Sequence, residues 1–373
     1  MSEIINESKK ESPLIDVHRE SGAHLGQSFG WEMPEYFSDP VEEHFRVRSS
    51  AGLFDLSYCG AVRIGGKEGA QFLNGLVTND VKSLQEGQGV RAAFLTGHGK
   101  VRAFCTIYGL GEEYLIINDP HTHEKVYKYV FPFSYAGDFK VEDVSEGHRL
   151  LSVQGPNSIQ VMKEVCFEPI PTLENHNWTR TLIAGYRVIA ARESHTGEIG
   201  YDILVPSEGL KDVWDFILLK GAFHEIAPVG SHALNSLRIE AGLPIYGVDA
   251  DESNMMLETG LLEAVSYTKG CYTGQEAVAM ATYRGHVSKK LAGLVVASEI
   301  PPPNKAKIFK EGKEIGYITS SLKSETLGSV IALGYLKYGH FEPGTPLEVE
   351  SPDGLNQASV VELPFYRASA DKT

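Results

Sequence analysis

Eight residues, Lys269 to Glu276, place an ammonium, a thiol and a carboxylate close together in the sequence. Thr273 and Glu276 have the spacing of a capping box, which predicts that a helix begins at Thr273 and continues to about Arg284. Cys271 then lies just before the positive end of the helix dipole, with Lys269 on the same side of an extended lead-in, and both favour a thiolate. The pattern predicts a reactive or ligand-donating cysteine. The alternative is a small buried side chain on a tight turn.

A second candidate is the carboxylate of Glu198, in the segment Ser194–Asp202. Gly197 and Gly200 let the backbone turn sharply around it. A carboxylate presented by such a turn can accept two parallel hydrogen bonds, and a pterin ring offers such a pair through its ring N–H and its 2-amino group. Glu198 is therefore chemically suited to hold a pterin. A solvated hairpin carboxylate is the alternative.

A third candidate is Arg238, near the C-terminal end of a predicted helix that Gly242 ends. Its planar guanidinium matches a carboxylate such as the glutamate tail of a folate. A structural ion pair to a neighbouring strand explains the residue equally well. The acidic run from Asp249 to Glu252 could bind a cation, but the sequence favours a solvated loop there.

The composition limits the class of protein. There are 34 basic and 49 acidic residues, and the net charge of -15 argues against a nucleic-acid groove formed by bulk charge and against a polybasic membrane surface. No apolar run approaches the ~20 residues that a bilayer span requires. The four cysteines are widely spaced without a C-x-x-C pair, which disfavours a disulfide framework and a cysteine-based zinc site. The start of the chain lacks the pattern of a secretory signal, so we expect a cytoplasmic protein.

The predicted secondary structure that positions these residues changes along the chain from mixed helices and strands to strands alone. Up to about residue 285, short predicted helices alternate with hairpins, which favours two α+β subdomains. Asp119-Pro120 predicts one such helix, with Asp119 as its N-cap. After Lys289, six short predicted strands fit a small β-barrel. We therefore expect a disordered tail at 1–14, an α+β body of two subdomains at 15–285, a C-terminal β-barrel at 286–367 and a short tail at 368–373.

The chain also carries an ordered series of short blocks. They are His18–Pro34, Glu43-His44 with Val47-Arg48, Ala51–Ser57, Asn79–Val81, Gln154–Pro156, Thr196–Glu198 with Gly200-Tyr201, Leu237–Gly242, Tyr246-Gly247, Gly316–Ser320 and Ile331–Tyr335. Together these blocks resemble the folate-binding aminomethyltransferase superfamily, which includes the T-protein of the glycine cleavage system and the YgfZ-like proteins. The resemblance covers nearly the whole chain. It implies that two α+β subdomains and a C-terminal barrel surround a central folate cavity.

Two positions indicate the branch of this superfamily. In the aminomethyltransferases, the strand after a Gly-Gly turn carries a pair of aspartates, one of which assists transfer at the folate nitrogen. The equivalent stretch here contains Ala103 and Phe104, which can neither exchange a proton nor stabilise a positive charge. Conversely, Lys269–Glu276 resembles the signature K-G-C-[FY]-x-G-Q-E of the YgfZ-like group.

Resemblance to that group implies a protein that binds tetrahydrofolate and supports the assembly or repair of iron–sulfur clusters in client enzymes, including enzymes that modify tRNA. Its partners would be folate and iron–sulfur client or assembly proteins, without direct contact to nucleic acid or to a membrane. By carry-over, Glu198 holds the pterin, and Arg238 and Tyr201 line the same cavity. Cys271, with Lys269, is the catalytic group near its mouth.

Two alternatives follow from the same residues. The opening block and Thr196–Glu198 are closer to T-protein than is typical of the YgfZ-like group, which favours a one-carbon transferase or demethylase that passes a methyl or methylene group to folate. The other alternative, of a different class, is a folate-binding adaptor without turnover.

Overall fold

A computed structural model describes residues 10–368 of the chain. Within this range three sheets form a body, and a fourth sheet closes into a barrel. The body strands in chain order are β1 (Lys10–Glu11), β2 (His24–Ser28), β3 (Trp31–Tyr36), β4 (Ala51–Asp55), β5 (Ala61–Gly65), β6 (Gly89–Leu95), β7 (Val101–Gly109), β8 (Glu113–Asn118), β9 (Lys140–Asp143), β10 (His148–Gln154), β11 (Trp178–Ile183), β12 (Tyr186–Arg192), β13 (Gly200–Pro206) and β14 (Ile226–Pro228).

The helices are short and lie mainly on the outer faces of the sheets. They are α1 (Ile15–Glu20), α2 (Pro40–Ser49), α3 (Gly69–Asn74), α4 (His123–Val130), α5 (Ser158–Val165), α6 (Leu210–Gly221), α7 (Ser231–Glu240) and α8 (Gln275–Arg284). In residues 10–368, no helix is long and apolar enough to cross a lipid bilayer.

The larger sheet of the body has six strands in the order β11-β12-β13-β10-β4-β14. On one face its apolar side chains pack with those of α5 and α6, as at Leu151, Ile203 and Trp214. Burial of side chains of this size contributes about 1.5–3 kcal/mol each. Residues at alternate positions of β10 and β13 are therefore fixed toward this core, and their neighbours point to the opposite face.

The second sheet of the body has five strands in the order β6-β7-β8-β5-β9. One of its faces packs with α3 and α4 through side chains such as Leu73, Ile116 and Val126. A shared core joins the two sheets, and it contains Tyr108 and Ile117 from the smaller sheet and Leu204 from the larger one. The space between the sheets is thus formed by both halves of the body.

The C-terminal strands form a closed six-stranded barrel in the order β15-β18-β17-β16-β19-β20. They are β15 (Lys289–Val296), β16 (Lys307–Lys310), β17 (Lys313–Ser324), β18 (Ser329–Lys337), β19 (Pro346–Ser351) and β20 (Gly354–Val361). Alternate apolar residues such as Leu294, Ile318 and Val349 fill its interior. The predicted fold class, an α+β body followed by a C-terminal β-barrel, is confirmed.

The tail predicted at 1–14 is ordered where the structure describes it. β1 pairs with β3 in parallel, and Leu14 is buried in the core of the larger sheet. At the other end Ala368 is also buried. Residues 1–9 and 369–373 of the two predicted tails lie outside the described residues.

Two predicted helix starts are wrong. The helix expected from Asp119 begins at His123, with Thr122 at the N-cap position, because the Asp119 carboxylate pairs with Arg91 of β6 instead of capping. The helix expected from Thr273 begins at Gln275, and the Thr273 side chain does not cap it. Gly274 occupies the N-cap position with φ +85°, a left-handed conformation that suits glycine.

Candidate functional site

One loop of the larger sheet projects polar groups toward the space between the two sheets. It joins β12 to β13 and is bound by the buried side-chain amide of Gln154. The side-chain oxygen of Gln154 accepts from the backbone N–H of His195 at 3.0 Å, and the side-chain NH2 donates to the Glu193 carbonyl. A Cβ at Gly200 would overlap with this amide, so the close approach requires glycine. The loop is therefore anchored to β10.

His195 and Asp202 form a hydrogen-bonded dyad in this loop. The Nε2 of His195 lies 2.9 and 3.0 Å from the two carboxylate oxygens of Asp202, and the Ser152 hydroxyl donates to the same carboxylate at 2.6 Å. Burial opposes a charged imidazole, but Asp202, and more weakly Glu193 and Asp119, raise the pKa of His195 above its ordinary value of 6.5. The dyad thus favours an imidazolium.

Arg91 and Asp119 form a second charged pair, contributed by the smaller sheet. Arg91 projects from β6, and both of its terminal nitrogens bind the carboxylate of Asp119 after β8, at 2.7 and 2.6 Å. The guanidinium carbon lies 5.8 Å from the ring centroid of Phe104. Ala103 and Phe104 are both fully buried and apolar, and the backbone N–H of Asp119 donates to the Phe104 carbonyl at 3.2 Å, so Asp119 lies beside this part of β7.

The turn between β4 and β5 places Tyr58 and Cys59 near both pairs. Burial raises the pKa of each far above its ordinary value, and the nearby charges of Asp119 and Asp202 raise it further. Tyr58 and Cys59 are therefore neutral at physiological pH. Above Tyr58, Phe29 at the tip of the β2–β3 hairpin packs at 5.1 Å between ring centroids.

These groups lie close together between the two sheets and are partly accessible. The side chains of Arg91 and Asp119 are 20% and 15% exposed, and that of His195 is 37% exposed. Burial is nevertheless the largest influence on the pKa of both Arg91 and His195. Partial exposure of groups that are otherwise surrounded by protein indicates a space between the two sheets that they border. We call this space, lined by Cys59, Arg91, Asp119 and His195, the inter-sheet cavity.

The inter-sheet cavity has the chemistry of a site for a polar organic molecule. It presents a fixed guanidinium, two carboxylates and an imidazole from both halves of the body. In residues 10–368, no group of three or more His, Cys, Asp or Glu side chains is arranged to hold a metal ion. Hydrogen-bond donors and acceptors at fixed positions can bind a planar heterocycle that itself carries both donors and acceptors.

Glu198, predicted to hold a pterin, lies in the same loop as His195 but takes part in another network. Its carboxylate, with 5% of the side chain exposed, accepts from Nη1 of Arg48 at 3.0 Å. Arg48 also binds Glu240 at 2.6 Å and lies 3.9 Å from the ring of Tyr366. The structure therefore gives Glu198 an internal ion pair, and its role toward a folate stays a prediction.

Arg238 forms a structural ion pair, which was one of the two interpretations of this residue from the sequence. Its guanidinium binds Asp249 at 2.7 Å, the Leu243 carbonyl at 3.1 Å and the Ser320 hydroxyl of the barrel at 3.0 Å. The interpretation of Asp249 as part of a solvated loop is wrong, because Asp249 is buried and accepts these bonds. With its donors in use, Arg238 joins α7 to the barrel and does not line the inter-sheet cavity.

Tyr201 faces away from the inter-sheet cavity. It is buried in the core between the larger sheet and α5 and α6, one position before Asp202 on β13. Because side chains alternate along a strand, Tyr201 and Asp202 point to opposite faces. The role of Tyr201 toward a folate therefore stays a prediction, and its packing places the ring in the core of the larger sheet.

Cys271 and Lys269 do not form a pair. Cys271 is exposed on the loop before α8, and no hydrogen bond links it to Lys269 within residues 10–368. The Lys269 ammonium instead donates to the carbonyls of Asn74, Val77 and Asn79 at 2.7, 2.8 and 2.6 Å. Burial lowers the pKa of Lys269 to about 8, so it remains mostly protonated at pH 7 and uses its three N–H groups as donors.

We expect Lys269→Met to lower the free energy of unfolding by about 1–3 kcal/mol, because three carbonyl oxygens would lose their donor in a partly buried site. Lys100→Met is the matched control, since Lys100 donates to one exposed carbonyl, that of Ser253. Urea unfolding of both variants measures the difference. Equal stability of the two variants would contradict a structural role for the Lys269 ammonium.

The three residues expected to share a cavity lie in three separate networks. Glu198 belongs to the Arg48 network, Arg238 to the Asp249 network, and Cys271 to an exposed loop. The residues that do come together, Arg91, Asp119, His195 and Asp202, were not singled out from the sequence. The signal for Asp202 was available, since it is the one charged residue in the apolar run of β13.

Comparisons with known proteins agree along nearly the whole chain. A sequence family described as GCVT N-terminal domain matches residues 14–269, and one described as Glycine cleavage T-protein C-terminal barrel domain matches residues 289–367. A protein of Halothermothrix orenii named Aminomethyltransferase is 31% identical over 95% of this chain and 99% of its own length. One of Moorella thermoacetica with the same name is 32% identical over 96% of this chain and 98% of its own length.

A solved structure shows the same fold. The crystal structure of glycine cleavage system aminomethyltransferase T from Bartonella henselae has a TM-score of 0.89, covers 97% of this chain and 99% of its own, and is 24% identical in sequence. At this identity, the likeness establishes the arrangement of body and barrel.

The sequence relatives contradict the predicted role in iron–sulfur cluster assembly. They are named aminomethyltransferase and match nearly the full chain, whereas that prediction depended on the signature at Lys269–Glu276. The structure accounts for much of the signature by packing, because Lys269 binds three carbonyls and Tyr272 is buried in a core. The finer resemblance to the YgfZ-like group, with iron–sulfur partners and tRNA-modifying clients, is not supported.

Proposed function

Because this chain belongs to the glycine cleavage T-protein family, we propose that it transfers a one-carbon unit to tetrahydrofolate, with an aminomethyl group as the first candidate. The support is the name shared by relatives that are about as long as this chain and 31–32% identical to it. The alternative considered from the sequence, a one-carbon transferase, thereby replaces the iron–sulfur role.

The inter-sheet cavity is the observation that carries this proposal. A reduced pterin is flat and has adjacent donors and acceptors along one edge, and the Arg91–Asp119 pair offers donors and acceptor lone pairs side by side. Tyr58 lies near Asp119 and Asp202, and Phe29 packs against its ring. We assign recognition of the pterin edge to Arg91 and Asp119.

Glu198 has a supporting role in this proposal. Its ion pair with Arg48 ties the β12–β13 loop to α2, while Gln154 ties the loop to β10. The same loop carries His195, so both contacts fix the position of the imidazole. Glu198 therefore positions the loop, and Glu198→Ala would act on turnover through displacement of His195.

Transfer of a methyl or methylene group from another donor is the second candidate. The observation that favours it is the apolar pair Ala103-Phe104, fully buried where the family resemblance implies aspartates. The two candidates share the folate site and differ in the donor.

The proposal is tested by following methylenetetrahydrofolate formation from tetrahydrofolate and the aminomethylated carrier protein of a glycine cleavage system. Protein-dependent formation of methylenetetrahydrofolate with release of ammonia is expected. Tetrahydrofolate binding without this product would support the second candidate. If the protein neither binds tetrahydrofolate nor forms the product, the proposed function is contradicted.

We expect Cys271→Ser to change the turnover number by less than about twofold, as for other surface substitutions away from a site. The reason is that Cys271 is exposed and outside the inter-sheet cavity. Alkylation of the wild-type thiol with iodoacetamide, followed by the same transfer assay, is the companion measurement. Loss of transfer in both cases would restore the prediction that this thiol is catalytic.

A further inference from the structure

The inter-sheet cavity contains several ionisable groups, but few of them can exchange a proton near neutral pH. Arg91 is held charged by Asp119, and burial keeps Tyr58 and Cys59 neutral. Glu193 accepts from Tyr108 at 2.8 Å and binds Nδ1 of His176 at 3.0 Å, and its pKa is lowered chiefly through His176 against the effect of burial. Each of these groups is fixed in one protonation state.

His195 is an imidazole with one occupied and one open ring nitrogen. Nε2 is bound by Asp202, whereas Nδ1 has no hydrogen-bond partner within residues 10–368. The side chain is 37% exposed, and Nδ1 is not among the buried unpartnered atoms of residues 10–368, so the open nitrogen is accessible. A carboxylate behind an imidazole fixes its tautomer and orientation and stabilises its protonated form.

We propose that His195, oriented by Asp202, is the acid–base catalyst of the transfer and donates from Nδ1 into the inter-sheet cavity. This inference rests on the proposed function. It assigns the proton transfer to the loop after β12, since β7 offers only Ala103 and Phe104 at the place where the family resemblance implies a carboxylate. Asp202 is a positioning residue, because it acts through the imidazole.

The reaction balances with one imidazole. For a donor X–CH2–NH2, where X is the leaving atom, the X–C and C–NH2 bonds break and two bonds form from the methylene carbon to N5 and N10 of tetrahydrofolate. The electron pairs of the broken bonds leave with X and with the amine nitrogen. The two N–H protons of the folate end on XH and on NH3. His195 gives its Nδ1 proton to the departing amine and regains one from a folate nitrogen.

The charged and titratable groups that face His195 determine its pH dependence. They are Asp202 of β13, Glu193 after β12 and Asp119 after β8, and all three favour the imidazolium. As a general acid, His195 is active when protonated, so the turnover number should fall as pH rises through the raised pKa of His195. When the Asp202 charge is removed, burial becomes the dominant influence and lowers the pKa of His195. The turnover number should then decrease at a lower pH.

The test compares His195→Gln and Asp202→Asn with the wild type. We expect His195→Gln to lower the turnover number at least about 100-fold, the lower limit for positioned acid–base groups, with the dissociation constant for tetrahydrofolate changed less than about threefold. In Asp202→Asn, the pH at which turnover falls should move to lower pH, because the largest influence that raises the pKa of His195 is removed. His123→Gln and Asp143→Asn are matched controls, because His123 and Asp143 form an imidazole–carboxylate pair outside the cavity.

Two outcomes overturn the assignment. One is a His195→Gln variant with wild-type turnover. The other is a decrease of the turnover number at high pH that persists in His195→Gln and disappears in His176→Gln. A second readout does not need turnover: the imidazole resonance of His195, assigned by its absence in His195→Gln, should titrate above pH 6.5 and shift when tetrahydrofolate is added. If the wild type shows no transfer, the proposed function fails. The role of His195 is rejected separately if its resonance does not shift when folate is bound.

Discussion

Replacing Asp249 with alanine is expected to lower the free energy of unfolding by about 3–5 kcal/mol, because it leaves a buried guanidinium without its counter-ion. Asp249 accepts from Arg238 at 2.7 Å and from the hydroxyls of Thr319 and Ser320 at 2.6 Å each. All these groups are buried. The substitution therefore removes the carboxylate that bridges Arg238 of α7 and the two hydroxyls of the barrel strand β17. Urea unfolding followed by tryptophan fluorescence measures the loss.

Glu299→Ala is the matched control for this prediction. It breaks the exposed Lys323–Glu299 ion pair of the barrel, and such pairs contribute about 0–1 kcal/mol. The double variant Arg238→Met/Asp249→Leu should be more stable than Asp249→Ala, since no buried charge is left unpaired. If Asp249→Ala and Glu299→Ala unfold at the same urea concentration, the Arg238–Asp249 pair does not hold body and barrel together.

The second large effect is expected on folate affinity. Asp119→Asn should raise the dissociation constant for tetrahydrofolate about 10- to 100-fold, which corresponds to the loss of a hydrogen bond to a charged group. The physical reason is twofold. The pterin loses a charged acceptor, and Arg91, bound by Asp119 at 2.7 and 2.6 Å, loses the partner that orients it. Titration of each protein with tetrahydrofolate by calorimetry measures the change.

Glu142→Gln serves as the control for Asp119→Asn. It weakens another arginine–carboxylate pair of the same sheet, Arg63–Glu142, on a partly exposed strand at the sheet edge. Arg91→Lys should also weaken binding, because lysine keeps the charge but lacks the planar fork. An Asp119→Asn protein that keeps its thermal unfolding midpoint and binds tetrahydrofolate as the wild type does would reject the pterin assignment.

Elements with strong local patterns could be predicted from the sequence. The barrel strands alternate apolar and polar residues between turn residues. From this alternation the sequence predicts strands that start at Leu291, Lys307, Glu314, Ser329, Pro346 and Ala358, and the first five starts lie within two residues of the observed ones. The start of β20 was placed later than Gly354, because the first residues of this strand are polar and exposed. Local periodicity was sufficient wherever one face of an element is buried.

The site could not be predicted because it depends on contacts between distant segments. Asp119 has the local pattern of an N-cap, but Arg91, 28 positions earlier in the chain, binds its carboxylate. Arg238 has the chemistry of an anion-binding residue, but Asp249 and Ser320 of other elements use its donors. Local sequence specifies which groups are present. The packing of the two sheets decides which groups meet.

The signature at Lys269–Glu276 was a misleading guide to function for a structural reason. Lys269 closes the Asn74–Asn79 segment through three carbonyls, and a Cβ at Gly274 would lie 2.6 Å from the Thr96 carbonyl. Tyr272 fills a core beside them. A segment with these packing requirements is compatible with more than one chemistry in the neighbouring cavity, so it does not specify the reaction.

The most direct test of the central claim is a crystal structure of the wild-type protein with tetrahydrofolate. We expect the pterin in the inter-sheet cavity, with its amide edge within hydrogen-bond distance of the Arg91–Asp119 pair and N5 or N10 close to Nδ1 of His195. A pterin bound instead against Glu198 and Arg238, or beside Cys271, would contradict the account.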